Sequence, residues 1–303
     1  MRAGLVAGLL LASVLLVACS GNRSRPSEGS AARRGHTAGS SAPAATASGI
    51  RDDLSRPQSS RYRQGSDSVP PPIDVSKLAE PVPKVEPRSR YGNKSPYNVR
   101  GKTYRVLPTA RGYDKRGIAS FYGNKFHGYK TSNLETYDMY AFTAASTTLP
   151  LPSYARVTNL ENGKSVVVRV NDRGPFHDNR LIDLSYAAAV KIGIWPKGTG
   201  LVEVRGIDPG QRGLELSAPP VVTDGHPGIY LQVGAFADAA NADRLAQRLR
   251  QADLGAVQVV DSVVDGRRLR RVRVGPLSSV ARADEVSRRI EKMGLPQPQV
   301  AVD

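Results

Sequence analysis

The chain has 303 residues, with 43 Lys and Arg against 27 Asp and Glu and a formal net charge of +16. Such a balance attracts anions, and nucleic acid is the first class of partner it brings up. A single cysteine excludes a disulfide framework, which needs at least two.

From Ala3 to Ala18 the sequence is an apolar run, too short for a mature membrane span but of the length of a signal-peptide core. It ends in Leu16-Val17-Ala18-Cys19, which resembles the lipobox of bacterial lipoproteins. The resemblance implies a signal peptide over 1–18 and a lipidated, membrane-anchored N-terminus at Cys19. One acyl chain holds a protein only marginally, whereas the several that this pathway supplies hold it stably. Ser20 stands where an aspartate would retain such a protein in the inner membrane, which implies sorting to the periplasmic face of the outer membrane. An exported chain meets anionic cell wall and lipopolysaccharide, so the compartment outweighs the charge and no nucleic-acid partner is expected.

Residues 19–103 are rich in Ser, Ala, Pro, Gly and Arg and are expected to form a disordered tether reaching roughly 50 Å as a coil. Regular patterning then begins, and 104–207 predicts an all-β domain of short strands. Tyr154 to Leu160 and Lys164 to Val170 are strands joined across Glu161-Asn162-Gly163, and one helix starts at the N-cap Ser185 and stops at Gly193. Many short strands with one helix in about a hundred residues predict a small closed or partly closed barrel. A Pro- and Gly-rich linker, 208–226, precedes a final unit, 227–303, that predicts β-α-β-β-α-β with strands Ile229 to Phe236, Val257 to Val264, Arg268 to Val274 and Gln299 to Val302. Ala242, Leu245, Ala246 and Leu249 give its first helix one apolar face, as Ala283, Val286, Ile290 and Met293 do its second.

Strand alternation sends Leu231, Val233 and Ala235 toward these helices and Tyr230, Gln232, Gly234 and Phe236 to an open face, with Arg271 and Arg273 beside them. Aromatic rings, an amide and guanidinium groups on an open sheet suit a sugar chain, offering flat faces to its C–H groups and donors to its oxygens. In the barrel, Asp172 follows an apolar strand at Asn171-Asp172-Arg173-Gly174-Pro175, with Arg173 placed to bias its charge. Glu135 and Asp138 share a second loop. These carboxylates, together with Tyr122, Phe126, Tyr137 and Phe176 as groove candidates, predict a cleft for glycan chemistry.

Tyr230-Leu231-Gln232-Val233-Gly234-Ala235-Phe236 and Arg271-Val272-Arg273-Val274-Gly275-Pro276-Leu277 resemble the SPOR domain. That family binds peptidoglycan strands stripped of stem peptides, which accumulate at the division septum. The resemblance implies glycan contacts from Tyr230, Gln232, Phe236, Arg271 and Arg273, and partners among septal division proteins. The stretches Gly117 to Gly123, Phe126-His127-Gly128, Tyr137-Asp138-Met139, Thr143-Ala144-Ala145, Thr148-Leu149-Pro150, Val157 to Leu160 and Val168 to Phe176 resemble the double-psi β-barrel of the rare lipoprotein A family, septal lytic transglycosylases. The expected fold class is therefore mainly β plus α+β: a double-psi β-barrel, then a ferredoxin-like SPOR unit.

The resemblance implies non-hydrolytic cleavage between N-acetylmuramic acid and N-acetylglucosamine, leaving 1,6-anhydro ends, with no metal or cofactor required. Asp172 is expected as general acid, with Glu135 and Asp138 in support and Tyr122, Phe126, Tyr137, Ser146, Arg173 and Phe176 lining the substrate. Two departures stand out. The family usually reads Asn-Gly-Glu where this chain has Asn133-Leu134-Glu135, and it places a histidine where Ala144-Ala145 is followed here by Ser146. They leave open an alternative, a glycan-binding outer-membrane tether that has lost turnover.

Overall fold

The computed structural model describes residues 52–56, 58–62, 65–68, 70, 72–210, 227–264 and 266–302. The expected signal peptide, the lipobox with Cys19, the tether up to residue 51 and most of the 208–226 linker lie outside the described residues.

The segment before the barrel is not simply a tether. A short helix α1 (Gln58–Arg61), a 3₁₀ turn (Val75–Lys77) and a hairpin of β1 (Tyr97–Val99) and β2 (Lys102–Tyr104) precede the barrel, with Arg100 and Gly101 at positive φ in the turn. The intervening chain is strapped onto the barrel by polar contacts. Glu80 accepts the Val167 N–H, Asp67 accepts those of Gly123 and Lys125, and Asn93 pairs with the Leu151 backbone in both directions. Scattered apolar side chains, Ile73, Val75 and Leu78, also pack on the barrel, but a strap held by isolated contacts carries no regular apolar period, so composition does not reveal the structure of 72–103.

Six strands follow: β3 (Asp114–Tyr122), β4 (Thr143–Ala145), β5 (Ser153–Asn159), β6 (Ser165–Asp172), β7 (Arg180–Ser185) and β8 (Thr199–Ile207). They close in the order β3-β7-β4-β6-β5-β8, with parallel pairs β3–β7 and β4–β6 among antiparallel ones. Ala119, Ala144, Leu149, Val157, Val168, Val170, Ile182, Leu184, Val202 and Val204 fill the interior. Closure leaves no edge to pair with another chain. The predicted β5–β6 hairpin turns through Gly163 at φ +71°. The helix α2 (Tyr186–Lys191) is capped as expected, Ser185 Oγ accepting from Ala188 N, and it buries Ala187, Ala188 and Ala189.

In the C-terminal unit β9 (Ile229–Phe236), α3 (Ala239–Gln251), β10 (Val257–Val264), β11 (Arg267–Leu277), α4 (Val280–Lys292) and β12 (Gln299–Val302) form an antiparallel sheet ordered β10-β11-β9-β12. The apolar helix faces predicted from sequence meet Leu231, Val272 and Val274. The same apolar cluster takes in Ile118, Leu160 and Leu201 of the barrel, so the two share a packed boundary.

One strand departs from simple alternation. Gly234 opposes Val272 but Gln232 opposes Arg273, so Val233 is an extra residue in β9 and the facing inverts beyond it. Ala235 is consequently exposed on the open face beside Arg271, while Phe236 packs against the helix-side core. This corrects the expectation for Phe236, whose ring sits over Gly234, where a Cβ would lie 2.7 Å from it. Tyr230, Gln232, Arg271 and Arg273 keep the open face.

Candidate functional site

The short strand β4 brings the chemistry together. Ala145 is the backbone partner of Asp172 at the end of β6 on one side and of Asp183 in β7 on the other. A register shift at Asn171 turns Asp172 away from the barrel interior that Val170 faces. Gly174, at φ +144°, passes over the pair, and a Cβ on it would lie 3.7 Å from both the Ala145 methyl and Asp183 Oδ2.

The two carboxyls are held differently. Asp172 Oδ1 accepts from Ser132 N at 2.8 Å, Ser132 Oγ at 2.6 Å and Arg173 N at 2.7 Å. Burial pushes its pKa above the usual carboxylate value, against these donors and the Arg173 charge. Asp183 Oδ1 accepts from the buried Ser120 hydroxyl, whose oxygen in turn accepts from Arg180 Nη1 at 3.0 Å. Burial raises Asp183 as well, opposed by Ser120, Arg180 and His177. Asp183 was not singled out from the sequence. The available signal was a lone carboxylate in the apolar run Leu181-Ile182-Asp183-Leu184.

Glu135 and Asp138, expected in support of the acid, are held in different surroundings. Burial disfavours the charge on Glu135, but hydrogen bonds from Arg169 Nη1 (2.5 Å) and Asn171 Nδ2 (2.9 Å) with the Arg169 charge outweigh it, and its carboxyl lies below the usual range. Arg169 also holds Glu86 of the strap at 2.9 Å, so Glu135 belongs to a structural ion network. A carboxylate held ionised in this way is no proton donor, and the supporting role expected of Glu135, which needs a charge and not a proton, is compatible with it. Asp138 is 56% exposed and accepts from Tyr140 N at 2.9 Å, which makes it a turn-capping carboxylate.

The expected substrate-lining groups divide too. Tyr122 and Tyr137 are buried, stacked with centroids 4.2 Å apart, and form the floor beneath the site rather than a sugar platform. Phe126 meets Tyr122 edge-on at 5.8 Å and Tyr62 of the preceding segment at 4.9 Å. Ser146 is 1% exposed and its hydroxyl accepts from Thr148 N and Leu149 N, so it stabilises a turn and is not available to a sugar. The Arg173 guanidinium donates to the carbonyls of Gly92, Ser146 and Leu149 and to Asn93 Oδ1. Burial lowers its pKa to about 10, and it clamps the strap to the barrel instead of facing substrate. Phe176 packs edge-on to Tyr104, itself stacked on Tyr97, so the β1–β2 hairpin contributes two aromatics that the sequence did not assign to the site. Leu134 replaces the family's glycine at φ +68°, the left-handed conformation that glycine favours.

Beside the packed boundary of the barrel and the C-terminal unit, a cavity of about 280 Å³ is lined from both sides, by Lys102, Arg116, His177 and Arg180 and by Gln299 of the C-terminal unit. It lies on the Arg180 side of Asp183. Gln299 opposes Gln232 on the neighbouring strand of the C-terminal sheet.

Comparison with known proteins matches 114–205 to the family described as lytic transglycolase and 225–301 to the SPOR domain. A relative from Pseudomonas aeruginosa strain UCBPP-PA14, named endolytic peptidoglycan transglycosylase RlpA, is 40% identical over 96% of this chain and 94% of its own. The protein of that name from Vibrio cholerae is 56% identical over 48% of this chain and 55% of its own. The solved SPOR domain of Pseudomonas aeruginosa RlpA is 34% identical and covers 24% of this chain and 97% of that one, with a TM-score of 0.24. A barrel and a SPOR unit matched in that order, within a relative aligned along nearly the whole chain, make this protein a member of the RlpA family of endolytic peptidoglycan transglycosylases.

Proposed function

We propose that the barrel cleaves peptidoglycan glycan strands between N-acetylmuramic acid and N-acetylglucosamine without water, with Asp183 as acid and base and Asp172 as its anionic partner. The observation that carries this is the pair of carboxyls flanking Ala145. Three hydrogen-bond donors favour the carboxylate form of Asp172, whereas Asp183 receives a single hydroxyl and is the better proton carrier. This moves the acid from Asp172, the sequence-based choice, to its neighbour.

The step balances without a cofactor. Asp183 gives its proton to the glycosidic oxygen as the C1–O bond breaks, and Asp172 stabilises the positive charge developing at C1. The muramoyl C6 hydroxyl then attacks C1, returning its proton to Asp183 and leaving a 1,6-anhydro end.

The SPOR face of Tyr230, Gln232, Arg271 and Arg273 supports a preference for strands lacking stem peptides, and with it enrichment at the division septum. Arginines there suit the carboxylate that each muramoyl lactyl group exposes once its peptide is removed. Lipidation at Cys19 would hold the protein on the periplasmic face of the outer membrane.

The test is digestion of stem-peptide-free strands by the full chain in detergent, with anhydro ends scored by mass spectrometry beside Asp183→Asn and Asp172→Asn. Anhydro products from the wild type, lost in Asp183→Asn, support the reading. Intact strands that co-sediment with the wild type would leave a glycan-binding tether instead.

A further inference from the structure

Resting on the assignment of Asp183 as the acid, we propose that Arg180 is a positioning residue that fixes the direction of the Ser120 hydroxyl and thereby places the Asp183 proton on Oδ2. The argument is one of donor accounting. A guanidinium only donates, so the Ser120 oxygen that lies 3.0 Å from Arg180 Nη1 accepts there. The hydroxyl has one proton, and with its oxygen engaged by Arg180 that proton is directed to Asp183 Oδ1. Oδ1 is then an acceptor, and the acid proton has Oδ2 as its place.

Oδ2 is the oxygen beside Gly174, on the side where Asp172 lies across Ala145. The proton is thus presented toward Gly174 and the Ala145 methyl, away from the Ser120 hydroxyl. The charged and titratable groups around Asp183 are Arg180 on its own strand, His177 in the loop before it, and Tyr122 on β3. Ser120 is 2% exposed, so water does not compete for its hydroxyl. Arg180 reaches it because Ile118 opposes Arg180 while Ala119 opposes Ile182, a shift that brings the guanidinium alongside the next residue of β3 on the outer face that Ile118 shares.

Arg180 acts twice in the cycle. Before cleavage it orients the acid proton. After proton transfer its charge and the Ser120 donor stabilise the carboxylate that must act as base. Loss of either raises the Asp183 pKa, because both favour the charged form.

The experiment is a pH profile of anhydro-end formation by the full chain in detergent, for wild type, Arg180→Met, Arg180→Lys, Ser120→Ala and the Arg180→Met/Ser120→Ala double variant. The expected result is an alkaline limb moved up by roughly one pH unit in Arg180→Met. A fall in kcat of about 10-fold or more accompanies it, with strand co-sedimentation and KM unchanged. Arg180→Lys restores most of the rate, Ser120→Ala reproduces the shift, and the double variant adds little to either single one, as expected of members of one relay. An unshifted profile in Arg180→Met and in Ser120→Ala, beside an inactive Asp183→Asn, overturns the proposal while leaving the acid in place. Turnover by Asp183→Asn overturns the acid assignment and the proposal with it.

Discussion

Asp172 and Asp183 share a single backbone neighbour, Ala145, which pairs with Asp172 in the parallel direction and with Asp183 in the antiparallel one. The consecutive strands β6 and β7 are thereby set on opposite sides of β4, each placing a carboxyl beside Ala145. Both are raised by burial, and a general acid raised in this way keeps its proton further toward neutral pH. Activity should fall as pH rises through the elevated Asp183 value, and Asp183→Asn should lower kcat by about 10²- to 10⁴-fold. Initial rates of anhydro-end formation between pH 4 and 9 check both.

The same burial makes Asp183 costly to the fold. A carboxyl whose folded value is raised contributes stability fully below its unfolded value, near 3.8, and loses that contribution as pH rises through the folded value. Asp183→Asn stays neutral throughout. Its Tm should exceed that of the wild type at pH 7 by about 2–4 °C, which ~1 kcal/mol produces in a unit of this size, and the gap should close below pH 3.8. Calorimetry at the two pH values measures it.

The strap depends on Arg169, which ties Glu86 to Glu135. Both carboxyls lie below the usual value of 4.5, so their contribution is present above it and is lost as pH falls through the lowered values. Part of this network is exposed to solvent, which screens it. Arg169→Met should cost about 1 kcal/mol at pH 7 and speed proteolytic cleavage within 78–95. The penalty should shrink in acid, where the orphaned carboxylates are neutralised.

Leu134 adopts φ +68°, a conformation that costs a non-glycine residue about 1–2 kcal/mol. Leu134→Gly gives back part of that to the greater freedom of glycine in the unfolded chain. A net gain of about 0.5 kcal/mol is expected, read as a higher midpoint in chemical denaturation. A lower midpoint would show that Leu134 packing matters more than its backbone.

In the C-terminal unit Phe236 and Tyr230 should separate by phenotype. Phe236→Ala removes a ring from the helix-side core and should destabilise by about 2–4 kcal/mol, since the ring is only partly buried. Tyr230→Ala and Arg273→Ala should weaken co-sedimentation with stem-peptide-free strands. Thermal melts beside sedimentation assays distinguish the two effects.

What the sequence determined by itself was local and periodic. Alternation and turn residues marked the β9 and β10 boundaries, and the Ser185 cap and Gly193 bracketed α2, because these signals involve residues within a few positions of one another. The family, the double-psi barrel and the SPOR unit were legible in motifs such as Asn171-Asp172-Arg173-Gly174-Pro175. Only the tertiary structure decided the rest. An extra residue at Val233 inverted the facing of Phe236, the strap used isolated polar and apolar contacts with no period, and the guanidinium of Arg173 and the hydroxyl of Ser146 were taken up by backbone groups distant or adjacent. Asp183 became a candidate acid only when barrel closure set β7 against β4. Which carboxyls flank a given residue is fixed by strand order in space, and sequence spacing does not encode that order.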